Sequence, residues 1–181
     1  MTEMNITHTD AADSNKRAQH DDKPPQKYLR YVEKAVKLAR SLLKVSGTVP
    51  MCAFLGNDAT GLLSPLFSTT DGKVCGNLST EQIMMTAAMT NADFILLIGA
   101  SWKIRKNSAL NIEEVRLKYG SIEASPYAVE ACSFVLETRT GIWLAQPEIR
   151  SNSRTRCIDR VEFRRADTVE WQNMRLLPER K

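Results

Sequence analysis

The sequence predicts a single α+β domain, built as a mainly antiparallel sheet packed by two helices. Apolar residues recur at helical spacing in residues 26–46 and 79–91, and short strand-like runs follow one another in hairpin-linked pairs. This order lacks the alternating strand-helix-strand rhythm of a doubly wound sheet. The chain also contains neither G-x-G-x-x-G nor G-x-x-x-x-G-K-[ST], so the two common nucleotide-binding loops are excluded.

Residues 1–25 are predicted to be a disordered tail, and residues 26–178 to be the folded domain. The first 25 residues carry five acidic and three basic side chains and very few large apolar ones. Such a segment cannot bury enough apolar surface to repay the entropy of ordering it. At 181 residues the chain has room for one ordinary domain.

Two helices are predicted, each with a start or stop signal. The first spans residues 26–46 and ends at Gly47, and the second begins with a capping box formed by Ser79 and Gln82 and runs to about Asn91. The apolar face of the first helix consists of Leu29, Val32, Val36, Ala39 and Leu43.

Strands are predicted at residues 49–55, 62–67, 94–104, 127–138, 142–149 and 158–165, and residues 171–177 close the chain. The first two form a hairpin around residues 56–61, a stretch that reads as a plain turn or, as the less favoured alternative, an anion-binding nest. Residues 105–125 are predicted to be a loop with a short helical turn at 112–118. Pro147 indicates an edge strand or a bulge.

The element order of helix, hairpin, helix and antiparallel strands is similar to that of profilin-like and roadblock-like modules, which implies an interaction or ligand-sensing platform. The pair Ala92-Asp93 leads an apolar strand to Ala100-Ser101-Trp102. This pattern resembles uncharacterised small bacterial α+β proteins whose strand ends in Glu-Ala-Trp, although Ala100 stands where the glutamate would be. The second resemblance extends from about residue 49 to 136 and implies no activity.

Histidine content excludes most familiar enzyme mechanisms. The chain has two histidines, His8 and His20, and both lie in the predicted tail. The folded domain therefore cannot contain a Ser-His-Asp triad, a Cys-His dyad or a histidine-ligated zinc. Only carboxylate or lysine chemistry stays open, with Glu130 and Lys73 as candidates. We predict no catalytic residue and no cofactor, and an enzyme is the less favoured class.

The four cysteines are predicted to be reduced thiols without a metal. Cys52, Cys75, Cys132 and Cys157 form no C-x-x-C pair and no zinc-ligand spacing. No signal peptide is visible, and the longest apolar run, residues 94–100, is too short to span a bilayer. These observations predict a cytoplasmic protein with no metal site.

Positive charge is concentrated in two blocks of a chain whose net charge is +4. Residues 26–46 carry six basic side chains and one acidic one, and residues 150–181 carry nine basic and five acidic ones. The candidate anion-binding or nucleic-acid-binding residues are Lys34, Lys37, Arg40, Arg154, Arg156, Arg160 and Arg164. A solvated surface without a ligand is the favoured alternative for both blocks.

Glu130 is the candidate buried carboxylate, because it interrupts an apolar run at residues 127–136. We favour a structural role with a paired partner over a general base. Taken together, these features predict a non-enzymatic module that docks a protein partner or a second copy of itself through an uncovered sheet edge or face. The alternative is a nucleic-acid-binding protein that uses the two basic blocks.

Overall fold

The computed structural model describes residues 23–70, 73–75, 78–152, 155–166 and 175–178. Residues 1–22 of the predicted tail, the whole of residues 171–174 and Arg154 lie outside these ranges. Within them the chain contains helices and an antiparallel sheet, which confirms the predicted α+β class.

The helices and strands follow one another largely as predicted. The helices are α1 (Gln26–Ser46), α2 (Thr80–Met89) and α3 (Ile112–Tyr119). The strands are β1 (Cys52–Asn57), β2 (Leu62–Thr70), β3 (Lys73–Cys75), β4 (Phe94–Ile104), β5 (Ala128–Thr138), β6 (Gly141–Ala145), β7 (Ile149–Ser151), β8 (Arg156–Ile158) and β9 (Arg164–Arg165).

The strands form one large sheet and one small hairpin. The sheet has the order β3-β2-β1-β4-β5-β6-β9, and β7 pairs with β8 apart from it. Each of these pairings is antiparallel. The central pair is β4 with β5, which run side by side over 11 residues. Their apolar residues on both faces fit a position covered from both sides.

Helix α1 packs across one face of the sheet. The rings of Tyr28 and Tyr31 lie 5.1 and 4.6 Å from the ring of Phe94 at the start of β4. The buried stripe continues along the helix to Leu43. The helix then ends where predicted, because Gly47 takes a left-handed conformation with φ of 72° that favours glycine.

Helix α2 packs on the opposite face of the sheet. Its predicted capping box is present: the Ser79 hydroxyl accepts from the Gln82 amide, and the Gln82 side chain accepts from the Ser79 amide. Ile83 and Ala87 are the buried residues of this helix. It ends at Met89 rather than at Asn91, since Asn91 adopts a φ of 45°, which cannot continue a helix.

The helical turn predicted within residues 105–125, at 112–118, is present as helix α3, which extends one residue further, to Tyr119. A second capping box starts it: the Asn111 side chain accepts from the Glu114 amide, and Glu114 accepts from the Asn111 amide. This Asn-x-x-Glu spacing is visible in the sequence. It marks the start of the helix and would have strengthened the prediction of a helical turn at residues 112–118.

Two predicted strands are each divided in the structure. The strand predicted at residues 142–149 stops at Ala145, and Pro147, which has no N–H to donate, turns its carbonyl to the Cys132 amide instead. The strand predicted at residues 158–165 is replaced by β8 and β9. The Asp159 amide donates to the Glu148 carbonyl, which continues the β7–β8 register by one residue, and residues 160–163 then belong to neither ladder.

The chain near its C-terminus is held to the sheet by a buried carboxylate, Glu137 on β5, which is 4% exposed. Its oxygens accept the amides of Leu176 and Leu177 at 3.0 and 3.1 Å. The neighbouring Arg139 donates to the carbonyls of Pro178 and Ala92. Desolvation raises the pKa of Glu137 above its ordinary value of 4.5, although the two amides oppose this shift.

The raised pKa of Glu137 makes the free energy of unfolding pH dependent. Because the folded state holds this proton more tightly than the unfolded state, the contribution of Glu137 is most favourable below pH 4.5 and declines as the pH rises through the raised pKa. We expect the difference in unfolding free energy between Glu137→Gln and the unmodified chain to change across that window. Urea denaturation at a series of pH values measures it, and a pH-independent difference contradicts the assignment.

Candidate functional site

A groove lies between α1 and the β1–β2 hairpin on the face of the sheet that α1 covers. Its cavity volume is about 100 Å³. The lining residues are Tyr31, Lys34, Ala35, Leu38, Phe54, Leu63 and Leu96. All of them except Lys34 present mainly apolar surface, so the groove is an apolar channel with one cation.

The apolar residues of the groove come from elements that α1 covers incompletely. Phe54 and Leu63 belong to the same apolar cluster as the buried face of α1, yet both remain partly exposed. Phe67, further along β2, is 39% exposed, and its ring meets Phe54 edge-on at 6.3 Å. These side chains therefore extend the apolar surface of the groove along the hairpin.

One end of the groove is fixed by a polar cluster. The Arg30 guanidinium donates to the Asp58 carboxylate at 2.6 Å and to the Tyr31 hydroxyl at 2.7 Å, and that hydroxyl lies 3.3 Å from the same carboxylate. This cluster joins α1 to the β1–β2 turn. Next to it, burial raises the pKa of Tyr28, which keeps its phenol neutral at physiological pH.

Three backbone amides in the turn at residues 56–61 already donate to nearby side chains. The Asn57 side chain accepts from the amides of Ala59 and Thr60, and the Asp58 amide donates to the Asp93 carboxylate. An anion-binding nest needs such amides free to point at the ligand. The arrangement is that of a side-chain-stabilised hairpin turn.

The exposed face of α1 carries the cations of the first basic block. Lys34, Lys37 and Arg40 are exposed, and Lys44 follows them in the last turn. None of the four forms an ion pair with a described residue. Lys34 alone among them also lines the groove. These four residues form the basic face of α1.

Three arginines of the second basic block are paired with carboxylates. Arg156 donates to Glu130 and to the Gly47 carbonyl at the end of α1. The guanidinium groups of Arg150 and Arg160 meet Asp159 and Glu162 at 2.8 and 3.1 Å. Arg164 is exposed on β9, and Arg154 lies outside the described residues. The structure thus brings one arginine of this block to α1, in a structural contact.

The buried carboxylate of β5 is Glu137. Glu130, the carboxylate that the sequence predicts to be buried, is only partly buried. The Glu130 side chain is 28% exposed and is paired with Arg156. Glu130 pairs with Trp102 near the end of the β4–β5 ladder, whereas the chain near the C-terminus covers Glu137. The sequence gives no direct sign of that cover, because Leu176 is distant from β5 along the chain.

The described residues offer little for thiol chemistry or metal binding. Burial raises the pKa of Cys52 and Cys132 to about 12, so both thiols are protonated and non-nucleophilic. In the described ranges no three His, Cys, Asp or Glu side chains come together as a metal site would require. No helix in these ranges has the length and apolarity needed to cross a membrane.

Comparison with protein-family models, with curated proteins and with solved structures gives no match to this chain.

The contacts of Arg156 predict a loss of stability when it is removed. Arg156→Ala leaves Glu130 and the Gly47 carbonyl without their donor, and we expect a cost of about 1–3 kcal/mol in unfolding free energy. Arg160→Ala is the control, because the pair of Arg160 with Glu162 is exposed and such pairs contribute little. Urea denaturation of both variants measures the difference, and equal stabilities would contradict a structural role for Arg156.

Proposed function

We propose that this chain is a non-enzymatic cytoplasmic binding module that docks a protein partner in the groove between α1 and the β1–β2 hairpin. The observation that carries the proposal is the cluster of partly exposed apolar side chains around one cavity, from Leu38 on α1 to Leu63 and Phe67 on β2. Free cysteines fit a reducing compartment such as the cytoplasm.

The energetics of binding favour a groove of this kind. Protein interfaces draw most of their affinity from a few large apolar or aromatic side chains that enter well-packed pockets. Phe54 and Phe67 offer aromatic surface, and Leu38 and Leu63 offer flanking aliphatic surface. A partner side chain that fills the cavity removes this surface from water, a gross contribution of about 25 cal/mol for each Å² buried that the entropy lost on association partly offsets.

Self-association through a sheet edge has weaker support than docking in the groove. Pro65 interrupts the N–H groups of β2, and proline within a sheet is confined to positions where this loss is harmless, chiefly edges. The opposite edge of the sheet is β9, a strand of two arginines. Proline and charge are the features by which edge strands resist pairing with another chain.

Two substitutions on neighbouring residues of β2 test the docking proposal. Leu63 lines the groove, whereas Leu62 is 44% exposed and is adjacent in a strand, where successive side chains point to opposite faces. We expect Leu63→Arg to abolish capture of the partner from extract of the source cells, and Leu62→Arg to leave it unchanged. Affinity capture with quantitative mass spectrometry measures this.

Thermal melting of both β2 variants provides the folding control. If Leu63→Arg has the same melting temperature as the unmodified chain and still captures the same proteins, the groove is not the docking site.

Nucleic acid is a second candidate partner, supported by the basic face. The cations Lys34, Lys37 and Arg40 are exposed on a single helix and have no ion-pair partner among the described residues. Exposed helix faces usually mix charges of both signs, and only Glu33 offers a negative charge within this stretch. Such a surface suits phosphate contacts that do not read sequence.

Salt dependence tests the nucleic-acid candidate. If the basic face contacts phosphates, the affinity falls with salt, and each contact contributes about 0.7 to 0.9 to the slope of log K against log salt. Substituting Lys34 and Lys37 by Glu then weakens binding to single- and double-stranded DNA and RNA alike. Lys118→Glu on α3 is the matched control. Mobility-shift assays at low and physiological salt measure the binding. If no nucleic acid binds at low salt, this candidate function is excluded.

A further inference from the structure

We infer that the partner of the groove is a helical segment of a different protein, which carries one large apolar side chain flanked by carboxylates. This inference rests on the proposed docking function and adds the chemistry of the partner.

The size of the cavity sets the apolar part of the partner. A closed apolar cavity of about 150 Å³ is large enough to hold benzene. The groove, at about 100 Å³, therefore accepts a single side chain of the size of leucine, methionine or part of a phenyl ring. Phe67 lies beside it, so one anchor enters the cavity while a second apolar residue of the partner rests on this ring.

The edge of the hairpin argues against a partner in strand conformation. Strand β3 pairs with residues 68–70 of β2, and no described strand pairs with the outer side of Leu62–Phe67. A strand added there would meet Pro65, which has no N–H to donate. Side chains, and not a backbone ladder, must then provide the contacts. A helix laid in an apolar groove satisfies its own backbone hydrogen bonds, as recognition of this kind requires.

The charge beside the groove sets the flanking residues. Lys34 lines the groove and Lys37 follows it three residues later, so the two Cβ atoms are about 5–6 Å apart on the helix surface. Two carboxylates three or four residues apart on a partner helix have the same spacing. Glu33 on α1 offsets a single positive charge. Asp58 is held by Arg30, and Asp93 accepts the Asp58 amide.

The same charges disfavour a second copy of this chain. A two-fold interface sets each surface patch against its own copy. Lys34 and Lys37 of both copies would then lie within one contact that excludes water, where four like charges repel strongly. The same two lysines attract carboxylates, so they favour an acidic partner.

A selection for peptides tests the inference on the full chain. A displayed library of random 16-residue peptides is selected for binding to the chain, with counter-selection on Leu63→Arg. We expect enriched peptides to carry Leu, Met or Phe with Asp or Glu three or four residues away. Replacing these acidic residues by Lys in a synthetic peptide is expected to weaken binding about tenfold or more in fluorescence anisotropy.

Charge reversal on the chain identifies the interacting pair. Lys34→Glu is expected to weaken binding of the acidic peptide and to restore binding of the peptide whose acidic residues are replaced by Lys. Lys118→Glu, the same charge reversal on α3, is expected to leave both affinities unchanged. An equal effect of both variants would instead indicate general attraction to the net positive charge of the chain and would overturn the proposed pairing.

The remaining outcomes also separate the inference from the proposed function. Selected peptides with basic or uncharged flanking residues whose binding still requires Leu63 would overturn the inference of an acidic partner. They would leave the proposal of docking in the groove standing. A dimer in light scattering that Leu63→Arg dissociates would overturn the choice of a different protein. If no peptide depends on Leu63, docking in the groove itself is contradicted.

Discussion

The contact between the apolar stripe of α1 and the β4–β5 face organises the described structure. Tyr28 and Tyr31 close on Phe94 at one end, and Leu43 is fully buried near the other. Helical propensity alone rarely holds a helix in place, whereas packing of an amphipathic face does. The position of α1 in turn fixes the Gly47 carbonyl that Arg156 binds, so the β7–β8 hairpin, β5 and the end of the helix are tied together through one guanidinium.

The groove is a consequence of this packing. Because α1 lies over the central strands, the same face of β1 and β2 is only partly covered, and Phe54, Leu63 and Phe67 keep exposed surface. The helix that leaves this surface uncovered also places Lys34 beside it. One element thus determines both the apolar character and the charge of the candidate site, which is why its two proposed partner classes, an acidic protein segment and nucleic acid, share anionic groups.

Local patterns in the sequence predict the elements well, and pairings between distant segments poorly. The helical period of residues 26–46, Gly47 and the Ser79 capping box gave correct helices because each signal lies within a few residues of the structure it specifies. Glu130 and Glu137 interrupt the same strand, and the cover that buries only Glu137 comes from Leu176 and Leu177. The groove was not predicted for the same reason: Leu38, Phe54 and Leu63 lie on three different elements, and their shared cavity arises only from the packing of α1 on the sheet.

The central claim is that the apolar groove is where a partner binds, and methyl NMR of the full chain with labelled leucines tests it most directly. On titration with the tightest-binding acidic peptide, the account predicts shifts at the methyl groups of Leu38 and Leu63, with those of Leu66 and Leu97, which pack in the cluster on the opposite face, unchanged. Shifts confined to Leu66 and Leu97, with Leu38 and Leu63 unaffected, would contradict it.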